Sequence, residues 1–116
     1  MSSNVSYVKA SYMAPSASAV ADTYYRVSGV PDGSWIRAVQ VCLVNGGIGN
    51  SMGLYNGSGG ALIDSFGSPT LSVASYYGRS NYHNYENAYI RADNGVWIMS
   101  DTQLVIRNAH ITVIYT

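Results

Sequence analysis

One cysteine, Cys42, stands alone in 116 residues, so no disulfide can form within the chain. It lies in "AVQVCLV", an apolar run that reads as a buried small hydrophobe, with nothing nearby to make it a nucleophile. Charge is also scarce. Charged residues make up 10% of the chain, against about 25% in an average globular protein. Six basic and six acidic residues cancel to a net charge of zero. That leaves no basic stripe to neutralise phosphates and no polybasic run for an anionic membrane, so neither nucleic acid nor a membrane is expected as partner. No apolar run approaches the ~20 residues of a membrane helix. The opening "MSSNVSYVKASYM" has no charged leader followed by an apolar block. Synthesis in a cytoplasm without export by the ordinary signal route is therefore expected, and the "NVS" and "NGS" triplets are not expected to carry sugar. No segment holds a period of 3.6 over ten residues, which excludes a helical architecture.

Against these gaps stands a hydrophobic content of 47%, which rules out disorder. The length suits one domain spanning residues 1–116, able to bury roughly two-thirds of its unfolded surface. A neutral surface poor in charge favours self-association, so a homo-oligomer is expected.

Turn signals punctuate the chain: "VPDGS", "NGGIGN", "YNGSGG", "FGSP" and "ADNGV". Their Asn-Gly and Asp-Gly pairs supply the positive φ of tight turns. Between them lie short runs rich in β-branched and aromatic residues. These predict strands near Val5–Tyr12, Asp22–Ser28, Ser34–Val44, Ser51–Tyr55, Ala61–Asp64, Thr70–Tyr76, Glu86–Arg91, Val96–Ser100, Gln103–Arg107 and Ala109–Tyr115. In "SWIRAVQVCLV" alternation puts Trp35, Arg37, Val39, Val41 and Leu43 on one face, and both faces are largely apolar. In "AHITVIYT", Ile111, Val113 and Tyr115 share a face. Val39, Val41, Leu43, Ile111 and Val113 are the expected core. The fold class is all-β: an antiparallel β-sandwich, jelly-roll-like as first choice and immunoglobulin-like as second. The Ser/Ala-rich "MAPSASAVAD" reads as a loop or crossover.

Chemistry for catalysis is thin. Asp32 and Asp93 belong to turn dipeptides, and nothing requires Asp64 and Glu86 to meet as a carboxylate pair. Two histidines, His83 and His110, fall short of a zinc set, and "HNYE" is a weak pair. The Gly-rich "YNGSGGALI" lacks the Lys-Ser/Thr ending of a phosphate loop. The expectation is no enzyme, no metal and no cofactor.

One stretch does stand out. "SYYGRSNYHNYENAY", Ser75–Tyr89, carries five tyrosines and three asparagines with one aliphatic residue, Ala88. Tyrosine offers rigid amphipathic area at low entropic cost, and asparagine adds adaptable hydrogen bonds. This composition suits a ligand surface, a subunit interface or plain strand packing. The expected contact surface is an exposed loop carrying Tyr77, Arg79, Asn81, Tyr82, His83 and Asn84. Trp97 is either a second stacking platform beside it or a core residue.

The texture resembles small virion proteins of tailed bacteriophages, the receptor-binding tail tips and fibre heads. The resemblance rests on a Gly/Ser/Asn/Tyr-rich β-domain with little charge and no cysteine pair, and on the closing strand "NAHITVIYT". "IRAVQVCLVNGG" followed by "GLYNGSGGALIDS" adds the strand–turn–strand pattern of such domains. It implies a trimeric or otherwise symmetric virion module attaching to a host surface glycan or protein receptor, and carries over no individual residue roles. A free-standing cytoplasmic lectin and a purely structural self-assembling protein are the alternatives.

Overall fold

The computed structural model describes residues 8–13, 17–43, 51–67, 80–85 and 88–116. Nine strands and one short helix follow in order: β1 Lys9–Met13, β2 Tyr25–Arg26, β3 Ser34–Leu43, β4 Ser51–Asn56, β5 Ala61–Gly67, β6 Ser80–Asn84, β7 Ile90–Ala92, β8 Val96–Met99, α1 Gln103–Asn108 and β9 Ala109–Tyr115. The expected strand at Thr70–Tyr76 lies outside the described residues, as do the whole "NGGIGN" turn and the last two residues of "FGSP". Among the described residues no helix is long and apolar enough to cross a membrane.

The strand pairs nest like brackets. β1 pairs with β9, β2 with β8, β3 with β6 and β4 with β5, all antiparallel. One long ribbon with its turn between β4 and β5 has this pattern. Rolled up, it brings β9 against β3 and β8 against β4. Two sheets result, one in the order β1-β9-β3-β6 with β7 also on β3, the other β2-β8-β4-β5. This is the connectivity of a jelly-roll sandwich, the first of the two architectures expected.

Turn chemistry explains the ribbon's bends. Gly57, after Asn56, takes φ +97° between β4 and β5, and Gly33, after Asp32, takes φ +85° before β3. Both conformations favour glycine because it has no Cβ. At the second turn Ser34 N–H and Oγ both donate to Pro31 O, at 3.2 and 2.7 Å. Gly33 N–H donates to Ala92 O at 2.7 Å, tying the start of β3 to β7.

The core lies between the sheets. Val39, Val41, Ile111 and Val113 from one sheet are fully buried, as are Met52, Leu54 and Val96 from the other, with Phe66 and Ile98 1% exposed. Leu43 is in β3, with its backbone opposite Ala109. Trp35 departs from expectation. Simple alternation groups it with Val39 and Val41, yet it points outward and is 37% exposed, while Ile36 is buried. The register of β3 against β9 jumps from Ile36–Tyr115 to Ala38–Ile114, leaving Arg37 as an extra residue. This bulge inverts the alternation, so even-numbered residues face the core before it and odd-numbered ones after it.

Gln103–Arg107 is also corrected, from a strand to helix α1. Its consecutive residues Val105 and Ile106 are both buried, which a strand facing one core cannot achieve. Ile106 N–H donates to Thr102 O at 3.2 Å, closing the first turn. Six residues are too few to show a helical period, and β-branched Val and Ile mimic a strand.

Replacing Ile111, which is fully buried, by alanine should cost about 2–5 kcal/mol in urea unfolding. Thr112→Ala on the opposite face of the same strand should stay within about 0.5 kcal/mol. Equal losses would mean that the two faces of β9 are assigned wrongly.

Candidate functional site

Tyr77 and Arg79 lie outside the described residues. The other expected contact residues are not on a loop. Asn81, Tyr82, His83 and Asn84 belong to β6, paired along β3 with Val41, Gln40, Val39 and Ala38. Loop-like composition misled here because polar and aromatic side chains are acceptable on an edge strand with one face open to water. Alternation then separates neighbours. Tyr82 points out and is 55% exposed, whereas the His83 ring stacks on Phe66 of the facing sheet, with centroids 4.3 Å apart.

His83 is therefore part of a clasp between the two sheets. Its Nδ1 lies 2.6 Å from Asp64 Oδ2 on β5, and the same oxygen accepts from the Tyr85 hydroxyl. Asp64 Oδ1 accepts from Ser65 N–H at 2.7 Å. Burial pushes the Asp64 carboxyl up, but hydrogen bonds from Tyr85, His83 and Ser65, with the His83 charge, outweigh it and hold the carboxyl below its ordinary value. Burial, then the bond to Asp64 and its charge, push the Tyr85 phenol well above its ordinary range. Asp64 thus meets His83 and Tyr85, and the clasp joins β6 of one sheet to β5 of the other.

Trp97 is neither in the core nor beside Tyr82. It lies on β8, between buried Val96 and Ile98, and so faces outward from the other sheet. Its Nε1–H donates to Asn94 O at 3.0 Å, and the Arg26 guanidinium stands 6.0 Å from its ring centre. The same outer face holds a groove of ≈ 220 Å³ lined by Gly53, Tyr55, Leu62, Ser65, Met99 and Asp101. That is smaller than the roughly 300 Å³ at which ordinary small-molecule pockets begin.

The outer face of the five-stranded sheet is different. Four aromatic side chains are strongly exposed among the described residues: Tyr12 (59%), Trp35 (37%), Tyr82 (55%) and Tyr89 (77%). All four gather on this one face or at its rim. Tyr12, Thr112, Gln40 and Tyr82 form a row across four strands, each opposite the next. Three strand spacings separate the two tyrosines, about 14 Å. Tyr12 OH is 2.6 Å from His110 Nδ1, with the rings 6.1 Å apart and 29° from parallel. Nearer the start of β3, Trp35 meets Tyr89 edge-on at 6.5 Å and 84°, and Arg91 lies 5.7 Å from the Trp35 ring centre. The bulge also turns Arg37 outward, where its Nε–H donates to Thr116 Oγ1 at 3.0 Å.

Tyr89 has φ +50°, a left-handed conformation that costs an ordinary side chain about 1–2 kcal/mol. A ring left 77% exposed recovers little of that by burial. Strain of this kind gathers at binding sites. Of this exposed set, the contact residues expected from sequence include Tyr82 but not Tyr12, Trp35, Tyr89, Arg37 or Arg91. They lie far apart in the chain, and only the sheet order brings them together.

The clasp should show itself in pH dependence. The Asp64 carboxyl titrates lower in the folded chain than in the unfolded one. Its stabilisation is thus fully present above the ordinary value of about 4 and is lost as pH falls through the folded value. Asp64→Ala should lower stability at pH 7 by about 1–3 kcal/mol. The gap from the natural protein should shrink in denaturant titrations below about pH 4. A gap that stays constant would remove Asp64 from the clasp.

Comparison with family models, curated proteins and solved structures finds no match to the chain, so the site is read from its own geometry.

Proposed function

We propose that the protein is a non-enzymatic attachment module that binds carbohydrate on the outer face of its five-stranded sheet. The observation that carries this reading is the gathering of the exposed aromatics Tyr12, Trp35, Tyr82 and Tyr89 on that one face. An aromatic ring stacks on the C–H face of a pyranose while neighbouring amide, hydroxyl and imidazole groups read its hydroxyls. Here Gln40 and Thr112 lie between Tyr12 and Tyr82, and His110 is held against Tyr12. Strands hold such a platform more rigidly than a loop, which lowers the entropic cost of binding.

Jelly rolls occur among capsid and lectin domains, an analogy of fold that does not itself assign function. Together with the resemblance in sequence texture, it favours a virion module of a tailed bacteriophage, at a tail tip or fibre head, whose receptor is a host surface glycan. The module acts as a homo-oligomer, a trimer in this reading, so that weak single sites combine through multivalency. Light scattering at tens of micromolar should then give a mass well above the 12.4 kDa of one chain. A monomer would remove the multivalent part of the proposal.

The binding face is tested by Tyr82→Ala on a glycan array and on cells. Loss of one stacked ring should weaken binding by roughly 1–2 kcal/mol, on the scale of other aromatic contacts. Melting temperature should hold, because surface changes away from the core stay within about 0.5 kcal/mol. Trp97→Ala, on the opposite face, should leave binding unchanged. Loss of binding in Trp97→Ala with none in Tyr82→Ala would place the site on the other sheet.

A further inference from the structure

We infer that the Trp35 end of the platform is built for a sugar that carries a carboxylate, a uronic acid or a sugar acid like it; this rests on the carbohydrate reading above. One guanidinium, of Arg91, stands against the Trp35 ring, and a second, of Arg37, is tied to Thr116 beside it. Arg91, opposite Trp35 on β7, places its Cζ 5.7 Å from the ring centre. Arg37 is held near Trp35 only through Thr116. Its Nε–H donates to Thr116 Oγ1 at 3.0 Å, and Thr116 is locked to Trp35 by two backbone hydrogen bonds of 2.9 Å each. Arg37 forms no ion pair among the described residues, whose ion pairs join Arg26 to Asp32, His83 to Asp64 and Arg91 to Asp93.

The Arg91–Asp93 contact is long, at 3.3 Å, and both side chains are more than half exposed. Water screens such a pair, and a ligand carboxylate can compete with it. By side chains alone, two arginines and one aspartate stand near Trp35, in a chain whose side chains sum to zero charge. Guanidinium is the cation best shaped for a carboxylate, through two parallel N–H···O bonds, and it retains its charge at any working pH. The indole beside it takes the C–H face of the sugar ring. Tyr89, at φ +50°, meets the Trp35 ring edge-on.

The arrangement is built in. The bulge at Arg37 turns both Trp35 and Arg37 out of the core. Gly33, whose φ of +85° favours glycine, closes the turn that sets β3 beside Arg91. A sugar acid seated on Trp35 beside Arg91 would thus meet charge and ring stacking together.

The test is a glycan array in which each carboxylated glycan is paired with its carboxyl-reduced neutral counterpart, with sulfated forms of the neutral glycans as a third arm. The natural protein should bind the carboxylated member at least tenfold more tightly than its counterpart. The preference should weaken as salt is raised. Arg91→Gln and Arg37→Gln should each reduce the preference, and melting curves would show that both variants remain folded. Should Arg37→Gln fail to fold, Arg91→Gln decides alone. Equal binding of the charged and neutral members would overturn the inference while leaving the carbohydrate reading in place. So would stronger binding of the sulfated forms, which would indicate charge attraction without a carboxylate fork. No binding in any arm would overturn both.

Discussion

Strand β3 has to meet two opposed demands within ten residues. Its start must send Ile36 into the core, and its middle must send Val39 and Val41 there. A regular pleat with a period of two cannot present an even-numbered and then an odd-numbered set to one side. The extra residue at Arg37 reconciles them. On the inner side it keeps the β3–β9 seam continuously apolar, with Val39 opposite Val113 and Val41 opposite Ile111. On the outer side it releases Trp35 and Arg37 to solvent, where they found one end of the aromatic platform. One bulge thus supports both the packing of the sandwich and the character of its exposed face.

The remaining order follows from how the ribbon closes. β9 lies between β1 and β3, so residues from both ends of the chain meet in one sheet. That is how Tyr12 comes to share a row with Thr112, Gln40 and Tyr82. The facing sheet is held at the opposite edge by the contact of Phe66 with His83 and by the shared Asp64 oxygen. The clasp and the platform thus use alternate residues of the same short strand: His83 points in to hold the sheets together, and Tyr82 points out to the open face. A substitution in β6 thus touches the inter-sheet contacts or the open face according to the parity of its position.

Much of the architecture was legible in the sequence. Alternation of apolar residues and Asn-Gly or Asp-Gly turns marked β3, β4, β8 and β9 closely, because a period of two and a positive φ are local properties. The core positions Val39, Val41, Ile111 and Val113 followed from the same alternation. Local signals failed where structure was short or interrupted. Val105 and Ile106 in a helix of six residues look like a strand, and a single inserted residue in β3 leaves no compositional trace. The polar, Tyr-rich run around Tyr82 looked like a loop because an edge strand with one wet face has nearly the same composition.

The sequence by itself determined an all-β chain with almost no charge, and a surplus of tyrosine and asparagine beyond what a core can use. These are properties of composition and of spacing along a few residues. Only the tertiary structure decided which of the aromatic residues are neighbours. Tyr12, Trp35, Tyr82 and Tyr89 come from four segments spread across most of the chain, and their proximity depends on sheet order and register. It also decided that His83 and Trp97 belong elsewhere, one in the clasp and one on the opposite face. The physical reason is that a strand's two faces are set by its pairing partners and bulges, which lie far away in sequence.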